Sequence, residues 1–215
     1  LLACGIRYPV HSVVTCLIAE SRRATEKMRN ISPTLIRTQR ELPTAVSRAE
    51  QRSRFELLHV CKPIQGFIPE VSEVSFPGAH SDVGGGYVDD ELPSISLRWM
   101  LGELGKTAFK LSNANIEQAF LEGNKPNPGG LAHWSLSGFT NVLLNNCVDR
   151  NLDPPKDRGE RRSVDTIPHE SIAQREGIGK VPVLIGDRTD ANQPLMLKYP
   201  ITCSDYEDDF KQGAR

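Results

Sequence analysis

Three features that follow one another along the chain predict an α/β fold. Val71-Ser72-Glu73-Val74-Ser75-Phe76 is a β-branched, partly alternating run that reads as a strand. The stretch from Pro77 through Gly78-Ala79-His80-Ser81-Asp82-Val83-Gly84-Gly85-Gly86-Tyr87 reads as a loop, with a histidine at the strand exit. Beyond Ser94, the residues Leu97, Met100, Leu101, Leu104 and Ala108 recur at helical spacing. A loop held by a rigid strand is a common place for chemistry, and histidine is the side chain best suited to proton transfer near neutral pH. Three glycines in a row permit positive φ and a close backbone approach, at an entropic cost that an ordinary loop has little reason to carry.

The remaining elements are read in order. Leu1–Ile6 is a short buried strand, and Val13–Ala19 is apolar but fits strand or helix. Glu20 to Gln39 turns basic and polar, which suits a solvated helix or insertion; a surface for anionic lipid head groups is the sharper alternative. Thr44, following Pro43, caps a helix that runs through Leu57. Cys61 to Pro69 is a loop, Asp89 to Pro93 is a turn, and Ser94 caps the next helix, in which Trp99 and Met100 are core residues. A second amphipathic piece spans Asn113–Leu121, Gly123 to Gly130 is a break, and Asn141–Cys147 forms a short helix. Leu152 to Arg162 is a surface loop. Pro182 limits Val181–Ile185 to an edge strand or an extended segment, and the acidic tail from Ser204 is frayed.

Composition narrows the classes. The chain of 215 residues is long enough for one domain with a substantial core, with 38% hydrophobic and 25% charged residues, as in soluble proteins. A formal charge of −1 provides no basic field for nucleic acid. No run approaches the roughly 20 apolar residues that span a bilayer. Cys4, Cys16, Cys61, Cys147 and Cys203 are odd in number and scattered, which argues against a disulfide framework or cysteine zinc site and for synthesis in a reducing cytoplasm. His169-Glu170 begins like a zinc-protease helix, but Ala173 stands where the second histidine belongs. Tyr87-Val88 after the glycines lacks the lysine and hydroxyl of a phosphate-binding P-loop. A divalent-cation site from His80, Asp82, Asp89, Asp90 and Glu91 has no recognised ligand spacing.

The histidine loop resembles the signature of the α/β-hydrolase-like catalytic domain of type VI secretion phospholipase effectors, the Tle lipase family. Three weaker stretches agree in order: Leu42 to Phe55, an "alanine, acidic, arginine, phenylalanine" run; Ile95 to Leu101, with its leucine-arginine-tryptophan-methionine; and Ile167 to Arg175, with histidine-x-serine. The resemblance spans residues 1–175 and implies the C-terminal portion of an α/β-hydrolase-like fold, incomplete at its start. It places the catalytic domain at 1–200, without the nucleophile-bearing part, and a polar tail at 201–215.

In such folds a serine on a strand-to-helix elbow attacks, an acid orients a histidine, and the histidine moves the proton. By resemblance His80 is the general base, and Ser81, Asp82, Gly84, Gly85 and Gly86 form the site loop. The chain contains no G-x-S-x-G; Ser135-Leu136-Ser137-Gly138 lacks the first glycine and follows the histidine. Tyr8 stands where the family's acid belongs, and loss of the orienting acid of a protease triad costs about 10⁴ in kcat. Of the substitute acids, Asp82 is only two residues from His80 and needs an unusual loop to reach its ring, whereas Asp89 and Asp90 can fold back over the glycines; a solvated loop is the plainer reading of all three. With one triad member recognisable, these residues alone are not expected to hydrolyse esters by the triad route.

The resemblance implies a phospholipase or esterase-like serine hydrolase that needs no cofactor or metal. It is made in the cytoplasm and exported by a type VI system, with phospholipid or another ester as substrate. It also implies peripheral membrane contact and a secretion-machinery or immunity partner, with no nucleic acid. The alternative is an inactive, truncated or degenerate member that serves as a binding or structural protein.

Overall fold

The computed structural model describes residues 41–55, 57, 70–106, 125–136, 146–152, 164–185 and 194–205. The readings for Leu1–Ile6, Tyr8, Val13–Ala19, Glu20–Gln39, Asn113–Leu121 and most of Asn141–Cys147 lie outside these residues. Within them the fold is α/β. Strands β1 (Glu41–Ser47), β2 (Glu70–Phe76) and β4 (Thr166–Pro168) form one parallel sheet in the order β1-β2-β4. Strands β3 (Ala132–His133), β5 (Lys180–Leu184) and β6 (Leu195–Lys198) form a second, in the order β3-β5-β6. Three helices accompany them: α1 (His80–Gly84), α2 (Glu91–Lys106) and α3 (Glu170–Ile178).

β2 confirms the strand reading of Val71–Phe76. β1 corrects the expected helix at Thr44: the segment pairs with β2 in parallel over seven residues, Glu41 against Glu70 through Ser47 against Phe76. Thr44 and Val46 are buried and β-branched, so pairing and burial outweigh the local capping signal. Pro43 costs no ladder bond on the free side of β1, the outer strand among those described.

Helix α2 starts at Glu91, three residues before the expected cap. Pro93 is tolerated in the first turn, where its missing N–H would have had no partner. Ser94 is therefore inside the helix and buried, its N–H donating to Asp90 O at 2.8 Å. The buried stripe is Leu92, Ile95 and Met100, with Trp99 against Phe76 at 5.3 Å between ring centroids; Leu97 and Leu101 are only half-buried. Trp99 and Met100 thus serve packing, as read.

Val181–Leu184 is extended as expected, but β5 is the central strand of its sheet, which corrects the edge assignment. The proline is accommodated because β3 pairs only with Val183 and Leu184, leaving Pro182 outside that ladder. Both sheets feed one core, in which Phe76, Leu92, Ile95, Trp134, Ile172, Val181 and Val183 meet.

Cys147 and Cys203, 56 residues apart with Cα atoms 5.8 Å apart, are joined by a disulfide. This corrects the reading against disulfides at one pair. The bridge and the burial of Ile201 fasten residues 201–203 to the body.

Candidate functional site

The three parallel strands end at one edge, and the backbone beyond them stays laced together. Arg48 N–H donates to Phe76 O at 2.9 Å, Ala49 N–H to Gly78 O at 3.0 Å, and His169 N–H to Ser75 O at 2.9 Å. Glu50 after β1, His80 after β2 and His169 after β4 consequently share the carboxyl end of the sheet, where open α/β sheets place their ligands.

Gly78 makes the turn that presents His80. Its φ is +101°, and an added Cβ would lie 2.4 Å from Asp82 Cβ, so no side chain fits there. The critical glycine therefore precedes the histidine. Gly85 and Gly86 also have positive φ, but an added Cβ on Gly85 would meet open space. They turn the chain out of α1 without a close approach, which corrects that part of the expectation.

Asp82 is 1% exposed and fastens the loop. From the third position of α1 its Oδ2 accepts the N–H of Ala79 at 2.8 Å, half of a capping box, and also the N–H of His133 at 3.0 Å. Its Oδ1 lies 2.7 Å from His133 Nδ1. Tyr87 stacks on the His133 ring at 3.6 Å between centroids, with 13° between planes, while His133 Nε2 is 3.6 Å from Asp89.

Residues 9–103 match the T6SS phospholipase effector Tle1-like catalytic domain. The resemblance read from the histidine loop holds over this segment. No curated protein and no solved structure matches the chain. The Tle1-like segment contains Glu50, Arg52, His80 and Asp82, whereas His133, Arg150 and His169 lie beyond it. No helix among the described residues is long and apolar enough to cross a membrane.

Within the Tle1-like segment, Glu50 is the buried anchor of the edge. Arg52 binds both carboxylate oxygens through Nε and Nη2, each at 2.8 Å, and its backbone N–H adds a third bond at 3.1 Å. The N–H of His80 donates to Glu50 Oε2 at 3.3 Å. Burial pushes the Glu50 carboxyl upward, but the Arg52 bonds and charge, with Ser135, outweigh it and hold the group below its ordinary value. The sequence predicts a helix over this run; instead, the tight turn after β1 brings Glu50 and Arg52 back against His80.

His80 has one face in solvent. Its ring centroid is 6.2 Å from Phe55, and the protein packed on that side removes hydration. This burial lowers its pKa from the ordinary 6.5; Glu50 raises it, and Arg52 and Arg150 lower it again. The imidazole is therefore neutral at pH 7 and able to accept a proton. An NMR titration of the ring should give a midpoint below 6.5, moving upward in Arg150→Gln because a repelling cation is removed. A midpoint at or above 6.5 in the unmodified protein contradicts this account.

His169 does different work. Its Nδ1 accepts the N–H of Ser171 at 3.2 Å, capping α3, and its ring stacks on Phe76 at 4.7 Å. The substitute acids are also resolved. Asp82 spends its carboxylate on Ala79 and His133, and Asp89 approaches His133 Nε2. Asp90 lines a cleft of about 150 Å³ between β1 and α2, walled by Ala45, Val83, Gly84, Leu97 and Met100. That cleft lies across the glycine loop, and His80 is not in its lining. His80, Asp82, Asp89, Asp90 and Glu91 form no metal-binding group; none exists among the described residues.

Sequence reasoning missed His133 and Arg150. A lone Ala132-His133-Trp134 and a lone arginine in Val148-Asp149-Arg150 carry no spacing that points to a site.

Proposed function

We propose that this chain carries the general-base half of a serine-dependent phospholipid acyl hydrolase, with His80 as the base. The observation that carries the reading is a half-open imidazole at the carboxyl end of a parallel strand, held by Gly78 and Asp82 within a segment that matches the Tle1-like catalytic domain. A serine outside the described residues gives its proton to His80 as its oxygen attacks the acyl carbonyl. The imidazolium then returns the proton to the departing lysophospholipid oxygen, leaving an acyl-enzyme that water hydrolyses by the same relay. Glu50 is a positioning residue, since it binds the His80 backbone and lends its charge to the edge.

Fatty-acid release from phosphatidylcholine vesicles tests the reading, using the protein expressed from its full reading frame. Release that a serine-directed fluorophosphonate abolishes supports it. No release, or release indifferent to the reagent, refutes it.

A further inference from the structure

We propose that Arg150, together with Arg52, forms a phosphodiester-binding subsite beside His80 that takes the phosphate of a glycerophospholipid head group. The proposal rests on the hydrolase reading and names which part of the substrate this edge grips.

Arg150 reaches the site because residues 146–150 run antiparallel to residues 51–53. Arg52 bridges Cys147, Val148 N–H donates to Gln51 O at 2.9 Å, and Ser53 N–H donates to Asn146 O at 3.0 Å. The guanidinium is then drawn under β1. Nη1 donates to Ser47 O and Oγ, each at 3.1 Å, and Nη2 donates to Phe55 O. Every one of these acceptors is neutral. Asp149, the adjacent carboxylate, is turned away and accepts from Gln51 Nε2 at 3.3 Å and from Cys203 N–H at 2.8 Å.

Among the described residues the local charges do not balance. Glu50 is the one described carboxylate facing both guanidiniums, and Arg52 occupies both of its oxygens. Arg52 also lies over the Phe55 ring at 3.6 Å, so Phe55 has Arg52 on its ring, Arg150 on its carbonyl and His80 nearby. A half-buried cation without its own counterion is costly unless an anion completes it. The excess is one positive charge, which matches the single negative charge of a phosphodiester. The bonds above leave Nε–H and one Nη2–H on Arg150, and one Nη2–H and both Nη1 hydrogens on Arg52. Planar forks of this kind suit phosphate oxygens. Phe55 is 42% exposed, so this corner opens to solvent. An ester substrate gripped there by its phosphate would bring its acyl linkage toward His80.

The test titrates sn-glycero-3-phosphocholine and, separately, inorganic phosphate into the full-reading-frame protein, reading the His80 ring by NMR. Saturable shifts with the diester, weakened about tenfold in Arg150→Gln, are expected. Should that variant unfold by circular dichroism, Arg150→Lys carries the test. It keeps the charge, loses the fork and must still weaken binding at least about threefold. Absence of binding, binding of inorganic phosphate alone, or binding indifferent to both variants overturns the subsite. In parallel, the kcat/KM ratio of a phospholipid over a neutral diacylglycerol should fall about tenfold in Arg150→Gln. Arg150-dependent diester binding without ester turnover would leave the subsite standing and remove the hydrolase reading. Turnover with an unchanged ratio and no diester binding would do the reverse.

Discussion

His80→Ala is expected to reduce phospholipid acyl hydrolysis by on the order of 10⁶ in kcat, the scale seen when a protease triad loses its histidine. The folded state should tolerate the change. The ring is exposed on one face, and the bond that binds this residue to Glu50 comes from its backbone N–H, which alanine retains. Gly78 and the Asp82 bond to Ala79 also remain. Urea unfolding should therefore move by no more than about 0.5 kcal/mol, as at other surface positions. The sharp contrast between lost turnover and retained stability distinguishes a proton carrier from a packing residue. Fatty-acid release in His80→Ala above about a tenth of the unmodified rate would show that His80 is not the base.

The parts of this arrangement that the sequence disclosed are those encoded locally. Val71–Phe76 is a strand because its β-branched residues suit a pleated surface, and His80 stands at its exit because Pro77 and Gly78 end it. Trp99 and Met100 pack as a helical period requires. What escaped is decided between distant segments. Pro43-Thr44 offers a good helix cap, yet the lateral ladder with β2 claims the same residues for a strand. Cys147 meets Cys203 because residues 146–150 run beside residues 51–53, a pairing no spacing encodes. β3, β4 and β6 have two, three and four residues, too few for an alternation to show. His133 is the instructive case: Asp82 looked two residues too close to serve His80, and its true partner stands 51 positions away.

Asp82→Ala is expected to destabilise the protein by about 3–5 kcal/mol, the range for breaking a buried hydrogen-bonded pair. The carboxylate is 2% exposed at its side chain and the His133 ring 10%, so water does not readily replace what is removed. Three donors lose their acceptor together: Ala79 N–H, His133 N–H and His133 Nδ1. The first of these precedes His80, and the other two tie the loop to β3, so the loss loosens His80 from its sheet. Conservative replacement by Asn keeps the shape and one acceptor oxygen, and should recover part of the loss. A double-mutant cycle with His133→Ala isolates the pair, with a coupling of about 1–3 kcal/mol expected for groups acting as one unit. Asp82→Ala should also broaden the His80 ring resonance by releasing the loop, an effect that a packing defect elsewhere would not produce. Coupling below about 0.5 kcal/mol, with the His80 resonance unchanged, would mean that this pair does not hold the loop.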